Sequence, residues 1–501
     1  GGTLVIGMRS DFSGFNSITN SSQYTDEIIK YALFTPLVQY DDDLEVRPWL
    51  AESWEMEGDT GVVFTLRSDV NWHDGQPVTT RDVKFTFDMA KDSAAASLLG
   101  QAYLSQVKSA EVLDERRIRF LFDRPHAQAL EDFWWAPMPE HLLGDVSAAE
   151  MRNAPYNRSP VGSGPFRFGE WRANDRLVLE RNPDFPQGLG GPPPSGRVVF
   201  RIVPEPATLL TELVTGGLHV DIDVEPSQAD EVQQNTQTTL ESYAGRTVYF
   251  VAWNNNREPF TEASVRRALT HAINRQEIID ALLFGHGSVA TSPIPPWSPL
   301  EPGVDPLPYD PERAMELLEQ AGWRDADGDG VREKGGQRLA FTMLSSDAAL
   351  NRSVVEVLQG QLRRVGVAVE PRVLEFQTML AQFKARDYDA TFANWVLDNF
   401  QVGTAPDALV HSRWAEAEGS ANRTGFASPE ADALLERGRA ATAEEDARQV
   451  WVSFTELLQR EQPVTFMFWL DELAGVRQEV QGVSMDPRGE LSGIARWSLE
   501  R

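Results

Sequence analysis

The sequence predicts an α/β protein built as two lobes. Three observations carry this expectation. Strand-like and helix-like segments alternate along the chain, as in folds that pack helices on a partly parallel sheet. Two apolar segments far apart in sequence, Arg246–Trp253 and Val464–Leu470, have the character of strands that cross between lobes. The length, 501 residues, exceeds what one hydrophobic core serves and fits two or three compact domains.

The elements follow in order. Short runs rich in β-branched and aromatic residues predict strands at Leu4–Met8, Val62–Leu66, Arg117–Phe122, Leu177–Arg181 and Val198–Val203. The last follows a stretch rich in Gly and Pro, Gly188–Ser195, which reads as irregular surface structure. The middle of the chain is more helical. Ser264–Phe284 carries apolar residues at helical spacing, among them Val265, Leu269, Ala272, Ile273, Ile278 and Ile279, and Gly285 supplies a stop. Asp310 before Pro311 reads as a cap and a first-turn proline, followed by the stripe Ala314, Leu317, Leu318, Ala321 and the terminator Gly322. Another helix carries Val354, Val355, Leu358 and Leu362, stops near Gly366 and leads into a strand at Val367–Val373. A further one around Met379, Leu380 and Phe383 precedes a strand at Thr391–Trp395.

Composition narrows the function. Acidic residues outnumber basic ones 75 to 46, a net charge of −29. Such a surface repels nucleic acid and anionic lipid, which argues against both as partners. Cysteine is absent, which removes disulfides, thiolate metal sites and a thiol nucleophile from consideration. No apolar run reaches the ~18 residues that span a bilayer. The chain opens on a strand-like segment, Thr3–Gly7, without a start methionine, and this reads as a mature form of an exported protein, periplasmic or at the cell surface, with a lipid anchor as one form the lost leader could have taken.

Catalytic signatures are thin. The seven histidines lie at 73, 126, 141, 219, 271, 286 and 411, none paired at the four-residue spacing of a metalloprotease helix. Neither a phosphate-cradling loop nor a nucleophile elbow is present. No catalytic residue is assigned and no cofactor is required. One loop does carry metal chemistry: Asp325, Asp327 and Asp329 alternate, Gly330 permits a tight turn, and Glu333 follows. Carboxylates so arranged converge on a hard cation, and calcium prefers oxygen ligands; position twelve, where such loops place a bidentate Glu, is Gly336. The alternative reading is a solvated turn, and a bound calcium would act only as a structural staple.

A resemblance enters with the region Leu50–Phe87. Ala51-Glu52-Ser53-Trp54, Leu66-Arg67, Val70-Asn71-Trp72-His73-Asp74-Gly75 and Asp82-Val83 resemble the signature of extracellular solute-binding proteins of family 5, the dipeptide, oligopeptide and nickel class that serves ABC importers. Further matches occur in the family's order at Ser159–Phe168, Arg181–Phe185, Phe260–Ile279, Tyr309–Trp323 and Gly425–Leu435. The resemblance implies the periplasmic-binding-protein fold, two lobes joined by hinge strands, with an extra subdomain inserted in the first lobe at about residues 38–180. Residues 1–246 plus 472–501 would form the first lobe and 247–471 the second. It implies a monomer that encloses a small polar solute, an oligopeptide, between its lobes and delivers it to the transmembrane subunits of an importer. Trp72, His73, Asp74 and Asp82 then read as scaffold.

Peptide-binding members resembled here hold the peptide α-ammonium on the aspartate of a Trp-x-x-Asp element, and Trp395-Val396-Leu397-Asp398 matches it. Asp398 is the expected anchor, with Trp395 and Asn399 beside it. Asn20, Ser21, Ser22 and Tyr24 are expected wall residues from the first lobe, and Trp253 and Asn254 from near the hinge. Dipeptide-specific members clamp the peptide carboxylate with Arg and Tyr; this chain has Ser345-Ser346-Asp347-Ala348-Ala349 there, which argues against a strict dipeptide binder. Two alternatives stay open: the same fold carrying an oligosaccharide or another non-peptide solute, and, more remotely, a hydrolase acting in the cleft.

Overall fold

The structure is a computed structural model that describes residues 2–125, 128–397, 400, 402–417, 419–441 and 443–500. The chain divides into two compact units, Gly1–Tyr243 with Glu472–Arg501, and Ala244–Asp471. Both divisions fall inside long strands, Thr238–Trp253 and Val464–Arg477, so an extended backbone carries the chain across each time.

In the first unit Thr3–Met8 runs parallel to Arg197–Ile202 on one side and to Val220–Asp221 on the other. Antiparallel strands Arg176–Arg181 and Phe166–Arg172 extend the sheet beyond Arg197–Ile202. The alternation Leu4, Ile6, Met8 points one face inward, and all three side chains are buried. A separate four-stranded antiparallel sheet has the order Ala51–Met56, Gly61–Leu66, Arg117–Phe122, Val107–Val112. Its inner face supplies Phe64 and Phe120, whose rings meet Phe133 with centroids 4.7 Å apart in each pair. Truncating one such buried ring to Ala costs about 3–5 kcal/mol. The helix Thr80–Lys91 starts with a reciprocal cap between Thr79 and Asp82.

In the second unit Ala340–Ser346 lies parallel to Ala368–Leu374 and to Ala390–Val396, with helices Ala349–Arg363 and Phe376–Lys384 as the connections. The β-α-β alternation of the sequence is therefore built as a partly parallel sheet. Thr247–Trp253 pairs antiparallel with Ala390–Val396, and Gly287–Val289 pairs with Phe468–Leu470. Val354, Val355, Leu358 and Leu362 pack into one core with Leu317, Leu318 and Phe341.

One element differs from expectation. The segment Ser264–Phe284 is two helices, Ala263–His271 and Arg275–Leu282. The physical reason is local: the Asn274 side chain accepts from the Glu277 backbone N–H at 3.0 Å and starts a new helix there. Apolar periodicity runs through the break because both helices bury the same face. Asp310 caps the helix Pro311–Gln320 as expected, accepting from Arg313 N–H at 2.8 Å, and Gly322 ends it with φ +89°.

Candidate functional site

In the first unit the residues Asn20 to Tyr24 form the entry to the helical segment Gln23–Leu33. Asn20 folds its amide over the chain: Oδ1 accepts from Ser22 N–H at 3.0 Å and Nδ2 donates to the Ser22 carbonyl at 3.1 Å. Ser22 is the helix cap, and Ser21 is exposed. The fold thus brings Asn20, Ser22 and Tyr24 together, with Asn20 bracing the turn. Beyond Glu27 the helix widens into a π-type stretch, Ile28–Leu33, closed by Phe34 N–H to the Ile29 carbonyl at 3.0 Å.

Tyr24 projects into an acidic neighbourhood. Its hydroxyl donates to Asp223 Oδ1 at 2.9 Å. Burial first, then the carboxylates of Glu490, Asp223 and Glu472, hold that hydroxyl well above its ordinary pKa. Glu27, one turn further along, is buried and accepts from Leu491 N–H at 3.0 Å. Gly489 permits this approach, because a Cβ there would lie 2.3 Å from the Glu27 carboxyl carbon. Asp223, Glu472 and Glu490 carry no motif, and no sequence signal singles them out; Asp223 reaches this phenol from 199 residues away, and Glu472 and Glu490 act on it from still farther along the chain.

In the second unit Trp395 is half-buried on the strand Ala390–Val396, opposite Val248, with exposed Asn394 and Val396 on either side. Asp398 and Asn399 lie outside the described residues. The described residues on either side are held in place: Leu397 N–H donates to the Arg246 carbonyl at 2.9 Å, and Phe400 meets Trp297 edge-on at 5.2 Å. Trp297 in turn donates its indole N–H to the Gly245 carbonyl at 3.1 Å. Trp297 and Phe400, with Trp395 on the strand Ala390–Val396, give the second unit aromatic surface of a kind suited to varied apolar side chains.

Two expected wall residues are placed differently. Trp253 is fully buried, stacked on Phe260 at 5.2 Å, with its indole N–H donated to Thr465 Oγ1 at 3.0 Å. Asn254 is 2% exposed and donates to the Tyr388 and Arg386 carbonyls. Both side chains are committed to the core and backbone of the second unit. Trp and Asn beside a strand end suit a binding wall or a core equally, and only the surrounding helices decide between them.

The signature residues of the first unit serve the scaffold. Asp82 is buried, accepting from Thr79 N–H and Glu140 N–H, both at 2.9 Å. His73 bonds the Gly164 carbonyl at 3.0 Å, and burial lowers its pKa to about 4, so the ring is neutral at physiological pH. His219, His271 and His411 are likewise engaged with backbone or carboxylate neighbours. Among the described residues the group able to converge on a metal ion is Asp325, Asp327, Asp329 and Glu333, with ligand oxygens within 4.8 Å of one another. Backbone N–H groups of Gly328 and Gly330 fold onto the Asp325 carboxylate, and Arg338 pairs with Asp329 at 2.5 Å.

The described residues form a mixed α/β chain in two compact units, with polar and aromatic side chains gathered on each. Residues 45–417 match the family described as Bacterial extracellular solute-binding proteins, family 5 Middle, and the chain belongs to that family. It is 26% identical over 513 residues to the oligopeptide-binding protein AppA of Bacillus subtilis, covering 100% of this chain and 92% of that protein. The solved structure of that AppA in complex with a nonapeptide superposes with a TM-score of 0.82 at 25% identity, covering 100% of this chain and 99% of the other. The nickel-binding periplasmic protein of Escherichia coli is 28% identical over 364 residues, 67% of this chain and 65% of that protein.

Proposed function

We propose that this protein is the substrate-binding component of an ABC importer and that its solute is an oligopeptide. The observation that carries the reading is the likeness to an oligopeptide-binding protein along the whole of this chain. The residues fit it. Asp398, in the Trp395-to-Asp398 element, holds the peptide ammonium, a charge-assisted bond whose loss in an enclosed site is costly. Trp395 and Asn399 flank it, and Tyr24, Ser21, Ser22 and Asn20 contribute from the first unit. The carboxylates around Tyr24 favour a cationic group and disfavour an anionic one. With residues of both units in contact, the peptide stabilises the closed state by differential binding, and the two crossing strands act as hinges. Residues of about 38–180 act as an inserted subdomain, the peptide is released chemically unaltered, and the mature protein works outside the cytoplasmic membrane as a monomer.

The test is thermal stabilisation by defined peptides. Asp398→Ala is expected to abolish it while leaving the ligand-free melting temperature nearly unchanged. Persistence of the full shift in that variant would remove the anchor, and a wild type indifferent to peptides but stabilised by a sugar or a metal chelate would replace the ligand. The nickel-binding relative makes the chelate the second reading. A direct histidine-ligated ion is disfavoured, because the histidines described above are already engaged. The Asp325–Glu333 loop is proposed to hold a structural calcium, with no part in solute binding.

A further inference from the structure

The first unit contains a cavity of about 260 Å3, remote in composition from the rest of the surface. Among the described residues its walls carry four cationic side chains, Lys30, Arg47, Arg488 and Arg496, and no carboxylate, in a chain of net charge −29. Two of the four are balanced: Lys30 pairs with Asp26 at 2.6 Å, and Arg488 with Asp42 at 2.5 Å and Asp486 at 2.6 Å. Arg47 and Arg496 form no ion pair among the described residues. Arg47 lies over the Trp49 ring at 4.9 Å, and its buried Nε has no hydrogen-bond partner among the described residues. The Ser492 hydroxyl, on the same cavity, is a second buried polar group without a partner among the described residues.

Such an arrangement is unfavourable by itself. Burial and the like charges of Arg488 and Arg496 pull the Arg47 pKa down, offset only in part by Asp41 and Asp42. A buried N–H and O–H without an acceptor or donor from the protein are free to bond a guest in the cavity. At about 30 Å3 per water the cavity has room for a small polyatomic anion. Guanidinium forks match the paired oxygens of carboxylate and phosphate.

We propose that this cavity binds a small oxyanion, a carboxylate or a phosphate, held by the Arg47 and Arg496 guanidinium groups and the Ser492 hydroxyl. None of the residues assigned to the peptide lines it, so the site stands or falls independently of the peptide reading.

The experiment measures melting temperature in sodium phosphate, in sodium succinate and in sodium chloride at matched ionic strength, for wild type, Arg496→Gln and the Arg47→Gln/Arg496→Gln pair. Wild type is expected to gain a concentration-dependent rise over chloride in at least one oxyanion, and the responding arm identifies the source. Arg496 is exposed and unpaired, so its single replacement leaves the fold intact and weakens the response; the double replacement weakens affinity roughly tenfold or more. In chloride alone the double variant melts no lower than wild type, because like-charge repulsion is removed. A rise in wild type no larger than chloride gives, or one undiminished in both variants, overturns the site.

Discussion

Asp82 illustrates how a carboxylate in a conspicuous motif is used. It accepts four hydrogen bonds, from Thr79 N–H, the Thr79 hydroxyl, Glu140 N–H and the Trp72 indole N–H, and ties a helix start to a turn and to a buried ring. Asp82→Ala leaves these donors unbonded and is expected to lower stability by roughly 2–4 kcal/mol in chemical denaturation, with peptide affinity little changed. Asp221 is a different case. It is fully buried, one oxygen accepts from Asp223 N–H, the other has no partner among the described residues, and burial raises its pKa from 3.8 to about 7. The folded state therefore keeps a proton that the unfolded chain releases at lower pH. The resulting stabilisation is full below the unfolded value and is lost as pH rises through about 7. Asp221→Asn should raise the melting temperature more at pH 8 than at pH 5, and an equal change at both would contradict this origin. Neither role is legible from the residue type. An aspartate at a strand end reads alike whether it caps, binds or is buried neutral.

At the level of elements, helix starts and stops follow from local chemistry. The Asp310–Pro311 cap, the Gly322 terminator and the strand Arg117–Phe122 stand where propensity and pattern place them. The break at Asn274 was missed because periodicity measures which face is buried, and two consecutive helices on one core preserve that face. The Asp325–Glu333 loop is the element with its own ligand proposal. Its carboxylates already gather around backbone N–H groups. A bound calcium would neutralise their mutual repulsion and tie the loop between the helix Pro311–Gln320 and the strand Ala340–Ser346. EGTA should lower the melting temperature and added calcium restore it, while Asp327→Asn blunts both responses. No change on chelation would leave the loop as a turn braced by its own hydrogen bonds.

For the whole molecule the governing quantity is charge. At net −29 the folded chain repels itself, and screening relieves that repulsion, so stability should rise between low and physiological salt. The same field and the carboxylates around Tyr24 draw cationic solutes. A lysine-rich peptide is expected to associate faster than a glutamate-rich one of equal length, by tenfold or more at low salt, with the gap closing as salt is added. Stopped-flow binding at two ionic strengths measures this; equal association rates at low salt would separate the charge from recognition.

By itself the sequence determined the α/β class, the order of most strands and helices, the absence of thiol chemistry and the family, because these rest on local periodicity, capping residues and ordered motifs. The tertiary structure alone decided which aromatic and amide side chains are core, as with Trp253 and Asn254. It also decided which distant carboxylates meet at Tyr24, and that Arg47, Ser492 and Arg496 share one cavity. Proximity between residues hundreds of positions apart is set by how sheets and helices pack, and no spacing along the chain encodes it.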